Sequence, residues 1–323
     1  MYGHQARWIG VGTAFAILAT GLVIARLMAD LPAVTPPPPA QASAEAMRIV
    51  ILGTGTPNAD PDRSGPATAI IVRDNAYLVD AGPGVVRRTA AANREHDLPG
   101  LAPSRLRHVF LTHLHSDHTV GLPDVMLGNF VLDRSFPIDL YGPPGAAHMA
   151  ELIVEAWAAD LAIRTGGLEP HSEADYRAVV SELAPGVVYE DELVTVEAIA
   201  VPHAEWPVAF GYKFTGSGRT IVISGDTRPS DTIVEACNGC DILVHEVYSA
   251  AMWQRREPVW QAYHANAHTS TVELAEIARR ARPELLVLYH QLYWGTDDAG
   301  LLREIREAGY MGEVVSASDL DIF

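Results

Sequence analysis

Short apolar runs, each closed by polar or turn-forming residues, recur along this chain from Met47 onward. Arg48-Ile-Val-Ile-Leu52 predicts a strand ending in the Gly53-Thr-Gly-Thr-Pro57 turn, where glycine makes a tight backbone accessible. Ala69 to Val72 and Ala76 to Val79 predict a hairpin around Asp74-Asn75, and Asp80-Ala-Gly-Pro-Gly84 leads into a helix of small residues. Val109-Phe-Leu111 predicts a buried strand and Leu122 to Leu132 a helix. Ile138 to Tyr141 follows as a strand, and Ala146 to Leu161 carries apolar residues at helical spacing. The second half repeats the rhythm. Strands are expected at Val194 to Val201, Val208 to Phe214, Thr220 to Ser224, Asp241 to Val244 and Leu285 to Tyr289, with helix Thr271 to Ala281 before the last of them. Four of these runs deliver a metal-competent side chain at the carboxyl end: His203, Asp226, His245-Glu246 and His290. Layered α/β folds place their sites there, because loops at that edge are free to converge. The likeness of the two halves suggests two β-then-α units packed sheet to sheet.

The densest cluster of metal-competent groups is Thr112-His-Leu-His-Ser-Asp-His118. At an extended strand end His113 and His115 point to the same side. Asp117 and His118 come after the chain turns and can face a second point, so one short loop can serve two metal ions. Imidazole and carboxylate both offer lone pairs at neutral pH. With no thiolate among them, the donors suit Zn ahead of Mn or Fe. Cys237 and Cys240 are the only cysteines, and without a second pair their expected role is structural rather than metal-binding or redox.

Composition changes the picture in two ways. Across 323 residues, 48% hydrophobic and 20% charged content describes a globular chain with ample core. The net charge of −17 argues against nucleic acid as the main partner and for a small-molecule substrate, with a homodimer left open. Trp8 to Ala25 is an uncharged apolar run of eighteen residues between Arg7 and Arg26, followed by Pro36 to Pro39 and an Ala/Ser-rich stretch. The expected organisation is an N-terminal signal anchor or signal peptide (1–31), a tether (32–46) and a catalytic domain (47–323). An uncleaved anchor is favoured over cleavage near Ala42-Ser-Ala44. That organisation predicts a periplasmic or other extracytoplasmic enzyme, touching the membrane only through its N-terminal segment.

With these residues in view, the chain resembles the metallo-β-lactamase-fold hydrolases over Met47 to Phe323, most of all the branch holding ribonuclease Z and the arylsulfatase-like enzymes. Gly53-Thr-Gly-Thr-Pro57, Asp80-Ala-Gly82, Thr112 to His118, His203, Ser224-Gly-Asp-Thr227, His245-Glu246, His268-Thr-Ser270 and His290 carry the resemblance. It implies a four-layer αβ/βα sandwich with two zinc ions per chain at one edge of the sheets. It also implies His113, His115 and His203 on the first ion, Asp117, His118 and His290 on the second, and Asp226 bridging them. The implied chemistry is hydrolysis of an ester-type bond (sulfate ester, carboxylester or lactone, phosphodiester) by a metal-bridging hydroxide. His268 matches the family's non-ligand histidine near the leaving group and is expected to act as general acid or oxyanion stabiliser. Glu246 would fix its tautomer, and Asp117 counts both as ligand and as catalytic carboxylate. His264 is a near neighbour that mimics His268 in sequence.

The tRNA-cleaving members carry a basic, glycine-rich arm. From Thr119 to Pro202 this chain has three arginines, no lysine and fourteen carboxylates. The expected substrate is therefore a small ester, and Trp253, Trp260, Tyr263, Tyr293 and Trp294 are candidates for an apolar mouth that admits an uncharged molecule. The alternatives are a ribonuclease Z-like phosphodiesterase, a β-lactamase, or a mononuclear iron oxygenase of the same fold.

Overall fold

The computed structural model describes residues 46–323; the anchor and tether expected before residue 46 lie outside the described residues. The first sheet runs in spatial order β1 (Arg48–Gly53), β2 (Ala67–Val72), β3 (Asn75–Val79), β4 (His108–Phe110), β5 (Ile138–Gly142) and β6 (Ala178–Glu182). β1 to β3 form an antiparallel meander, after which β3 to β6 run parallel. Helices α1 (Val85–His96), α2 (Ser116–Thr119), α3 (Ala146–Ala156) and α4 (Ala158–Gly166) belong to this half. The second sheet has the order β13 (Glu313–Ser316), β12 (Leu285–Leu292), β11 (Ile242–Tyr248), β10 (Arg219–Ile223), β9 (Phe210–Gly216), β8 (Thr195–Ala200) and β7 (Gly186–Glu190). Here too an antiparallel meander, β7 to β10, gives way to parallel pairing from β10 to β13. Its helices include α5 (Asp231–Cys237), α6 (Ala250–Trp253), α7 (Pro258–Ala267), α8 (Thr271–Ala281) and α9 (Asp298–Glu307).

The layering follows from the period-2 pattern of the strands. In β1, Ile49 and Ile51 face the second sheet, while Val50 and Leu52 face the outer helices. The run reads as continuously apolar because both faces of the sheet are covered. Between the sheets Ile70, Val79 and Phe110 meet Phe210, Tyr212, Ile223, Val244 and Tyr289. Outside the second sheet, Val222, Leu243 and Leu286 pack on Ile233, Leu274, Ile277 and Leu301. Helix, sheet, sheet and helix make the expected four-layer sandwich.

Where elements differ from expectation, the cause is local. The helix expected over Ala146 to Leu161 breaks at Trp157 into α3 and α4, and the Leu122–Leu132 helix contains a π-helical turn at Asp124–Gly128. The edge strands β6 and β7 were not expected. Val179 and Val187 are exposed there, so no apolar alternation announces them. Cys237, the last residue of α5, and Cys240 are joined as a disulfide and are buried in the cluster between the second sheet and its outer helices.

Candidate metal centre

Backbone geometry at the strand ends delivers the site. Phe110, the last residue of β4, stacks on Tyr141 at 4.7 Å and meets Tyr212 and Phe214 edge-on at 5.6 and 5.8 Å. This aromatic anchor holds the start of the histidine loop. After β10 the chain turns at Gly225, at φ +61°, where a Cβ would lie 2.5 Å from the Phe210 carbonyl oxygen. Only glycine makes that turn, and it brings Asp226 inward. His290 is the extra residue of a bulge in β12: Glu246 pairs with Tyr289 and Val247 with Gln291, and His290 sits at φ +45°. Asp80, just past β3, is also left-handed, at φ +65°. Non-glycine residues in that region cost free energy that the surrounding packing must offset, and such outliers gather at functional sites.

The seven expected ligands converge in two adjacent groups, His113, His115, His203 and Asp226 in one, Asp117, His118 and His290 in the other, and a third group of Asp226, His268 and His290 links them. His115 Nδ1 lies 3.0 Å from His113 Nε2 and 3.2 Å from His203 Nε2. Nitrogens bound tetrahedrally to one zinc ion stand about 3.3 Å apart. Asp226 Oδ2 is 3.3 Å from His118 Nε2 and 3.5 Å from His290 Nε2, and Asp117 Oδ2 is 3.3 Å from His290 Nε2. His118 Nε2 and Asp226 Oδ1 are buried without any hydrogen-bond partner. Converging lone pairs and orphaned buried atoms fit a cation on both sides of Asp226.

The outward-facing nitrogens are held by other groups. His118 Nδ1 donates to Asp80 Oδ2 at 2.8 Å, His203 Nδ1 to the Ala267 carbonyl at 2.8 Å, and His113 Nδ1 meets Thr112 Oγ1 at 3.0 Å. The Trp206 indole lies 2.8 Å from His115 Nε2. Asp80 also accepts from the Thr112 amide at 2.8 Å and its hydroxyl at 3.0 Å. Sequence reasoning gave Asp80 no role, although its place in Asp80-Ala-Gly82 marks it; nothing in the sequence marks Trp206. Outer carboxylates of this kind orient a ligand and raise its basicity, typically by 10–100-fold in metal affinity. Asp80→Asn is therefore expected to weaken zinc binding by about 10–100-fold in competition with a chromogenic chelator. Unchanged affinity would remove Asp80 from the site.

Electrostatics separates the histidines. Burial pushes His113 and His203 below the ordinary imidazole value, and His115 to about 4. For His118 burial acts in the same direction, but Asp226 and Asp80 outweigh it and raise the group. His290 is raised likewise, because Asp226 and Asp117 overcome burial. Asp226 is held well below the usual carboxylate range despite its burial, mainly by His290 and His118.

His268 sits 6% exposed at the end of α7, and burial holds its imidazole down to about 4. Its Nδ1 is 3.5 Å from Glu246 Oε2, too long for a hydrogen bond as it stands. Glu246 is fully buried; burial and then the nearby Asp226 carboxylate push it well above its ordinary value. Glu246 Oε1 accepts from the Thr269 amide at 2.8 Å, which ties the His268 segment to β11. His268 also falls within ligand range of Asp226 and His290. His264 is turned to the Trp260 carbonyl at 2.6 Å. His245 is buried, and its Nδ1 donates to the Glu246 backbone carbonyl at 2.7 Å.

A cleft of about 670 Å³ opens above the two groups, lined by His115, Asp117, Asp226, His268 and His290 on its floor. Arg256, Trp260, Tyr263, His264 and Trp294 form one wall. Trp253 and Tyr293 do not line it; they pack on Tyr248 and under Arg63. The mouth is aromatic as expected, but the Arg256 guanidinium stands in it.

Known proteins share this architecture. A family model described as beta-lactamase superfamily domain matches residues 75–291. Ribonuclease Z of Mycobacterium bovis is 32% identical over 255 residues, covering 76% of this chain and 85% of that relative. The metallo-beta-lactamase fold protein YhfI from Bacillus subtilis superposes with a TM-score of 0.66 at 16% identity, over 86% of this chain and 98% of that one. Human tRNase Z, short form, superposes with a TM-score of 0.63 at 24% identity, over the same shares of 86% and 98%. At these identities the two structures speak for the fold alone.

Two expectations are corrected. Net charge argued against nucleic acid as a partner, yet the curated relative is named a ribonuclease. Net charge averages over the whole surface, whereas recognition depends on the local field in the cleft. The expectation of a periplasmic, membrane-anchored enzyme is also withdrawn. The relative bears the name of a ribonuclease, and no helix of the described residues is long and apolar enough to cross a membrane. The run Trp8 to Ala25 lies outside those residues.

Proposed function

This chain belongs to the ribonuclease Z branch of the metallo-β-lactamase-fold metallohydrolases and is a metal-dependent hydrolase, and on that premise we propose that it cuts phosphodiester bonds in RNA with two zinc ions. The observation that carries the reading is Asp226 standing between two sets of three further donors, at 3.3 and 3.5 Å from His118 and His290 and grouped with His113, His115 and His203. His113, His115 and His203 would hold one ion and Asp117, His118 and His290 the other, with Asp226 shared. Bound there, the pair would supply a water-derived nucleophile at neutral pH and Lewis acidity toward the phosphoryl oxygens.

The remaining chemistry belongs to the chain. Burial keeps His268 neutral, so it serves the leaving oxygen as a neutral N–H donor rather than as an imidazolium. Glu246, its carboxyl pushed well above the ordinary range by burial and Asp226, stands 3.5 Å from His268 Nδ1 and is placed to orient the ring. The capping box of Ser270 and Glu273 at the start of α8 fixes the backbone just after His268. This departs from the small-ester substrate that composition suggested.

The test is a panel on zinc-loaded protein: a tRNA precursor, bis(4-nitrophenyl) phosphate, and chromogenic sulfate, carboxylester, lactone and cephalosporin substrates. The expected result is the highest kcat/KM on the phosphodiesters. A higher value on any other bond overturns the assignment.

A further inference from the structure

Arg256 is the one arginine in the wall of the metal cleft, and none of its own contacts explains its charge. Its guanidinium lies 5.1 Å from the ring centre of Trp294 and 5.9 Å from that of Trp260. Its Nε is buried and has no hydrogen-bond partner, and Arg256 makes no ion pair among the described residues. Several other arginines of this chain are held by partners. Arg63, in the hollow next door, pairs with Asp298 at 3.3 Å. The three arginines between Thr119 and Pro202 are all occupied internally. Arg134 is fully buried on the carbonyls of Val125, Met126 and Asp175, Arg164 pairs with Asp160 and Glu169, and Arg177 pairs with Glu173.

A guanidinium flanked by indole faces is held in place by cation–π attraction while its edge donors stay free. Those donors form a planar fork that matches the oxygens of a phosphate. Arg256 stands on the His268 side of the cleft: Trp294 contacts His264 at 4.4 Å between ring centres, and His264 contacts His268 at 5.9 Å. Trp260 and Tyr263, 47% and 37% exposed, extend the same wall and offer faces on which a base can stack.

We propose that Arg256, with Trp260 and Trp294, is a second phosphate subsite that binds the phosphodiester next to the one being cut. The inference rests on the phosphodiesterase reading and adds to it that the substrate is a chain of linked nucleotides, recognised through a neighbouring charge. It would give an acidic protein a local cation for RNA, since Arg256, the one arginine of the cleft wall, stands beside the floor of His115, Asp117, Asp226, His268 and His290.

The experiment uses zinc-loaded protein, wild type, Arg256→Gln and Arg256→Lys. The substrates are a short oligoribonucleotide and the same oligomer with uncharged methylphosphonates at the linkages flanking the cleavage site. On the fully charged oligomer Arg256→Gln should raise KM on the order of 10- to 100-fold, the range for losing a charge-assisted contact. Arg256→Lys should recover part of the loss, and the penalty of Arg256→Gln should shrink on the methylphosphonate oligomer. An equal penalty on both oligomers, or none, overturns the subsite. Cleavage of bis(4-nitrophenyl) phosphate by the wild type reports separately on the phosphodiesterase reading. Should the wild type cut no phosphodiester, tryptophan fluorescence titrated with adenosine 3′,5′-bisphosphate decides the subsite alone. Saturable quenching that weakens about tenfold or more in Arg256→Gln supports it, and equal affinity of the two proteins overturns it.

Discussion

Asp226→Ala is expected to lose both metal ions and nearly all hydrolysis while keeping its secondary structure. Asp226 is 2% exposed and its Oδ2 faces His118 at 3.3 Å and His290 at 3.5 Å, while its carboxylate also belongs to the His113, His115 and His203 group. On the two-ion reading, removing it would take a ligand from each ion and leave two divalent cations facing one another without the negative charge between them. Activity should fall by roughly 10³-fold or more, about 4 kcal/mol of transition-state stabilisation. The β10 backbone that carries Asp226 is tied into the sheet on both sides, which is why the fold should persist. Metal content by elemental analysis, far-ultraviolet circular dichroism and hydrolysis of a phosphodiester form the test. Two bound metals with full activity would show that the centre lies elsewhere.

The second large effect concerns His268. His268→Ala should keep its metals and lower kcat by roughly 10²–10⁴-fold, the range for a group that stabilises the leaving oxygen by hydrogen bonding or proton donation. The loss should shrink on bis(4-nitrophenyl) phosphate, whose leaving group needs little help, and stay large on an RNA linkage. Because His268 also lies within ligand range of Asp226 and His290, metal content decides between two roles. Loss of an ion in the variant would make His268 a ligand, and an equal penalty across leaving groups would remove it from the proton path.

Much of this centre was legible before any coordinates. The spacing of Thr112 to His118 places two histidines on one side of a strand end and an Asp-His pair beyond the turn, and the structure brings all four together with His203, Asp226 and His290. Each of the three distant residues follows an apolar strand, so strand pattern and site coincide. What was misjudged came from averaging. A net charge of −17 spoke against nucleic acid, although charge counted along a chain says nothing of which guanidinium lacks a partner. Arg256 differs from Arg63 or Arg164 only in what surrounds it.

The sequence by itself determined the period-2 apolar strands, the doubled β-then-α rhythm and the metal-competent residues at strand ends, because these depend on side-chain type and local spacing. Only the tertiary structure decided the rest. The bulge that turns His290 inward and the left-handed backbone of Asp80 are set by pairing across the sheets and by contacts between loops. Which carboxylate steadies His118, and which histidines burial holds neutral, follow from groups far apart in the chain; Asp80 and His118 are separated by 38 positions yet meet at 2.8 Å. Distances, burial and local fields arise between residues that no local pattern relates, and they turn a set of candidate ligands into a site with chemistry.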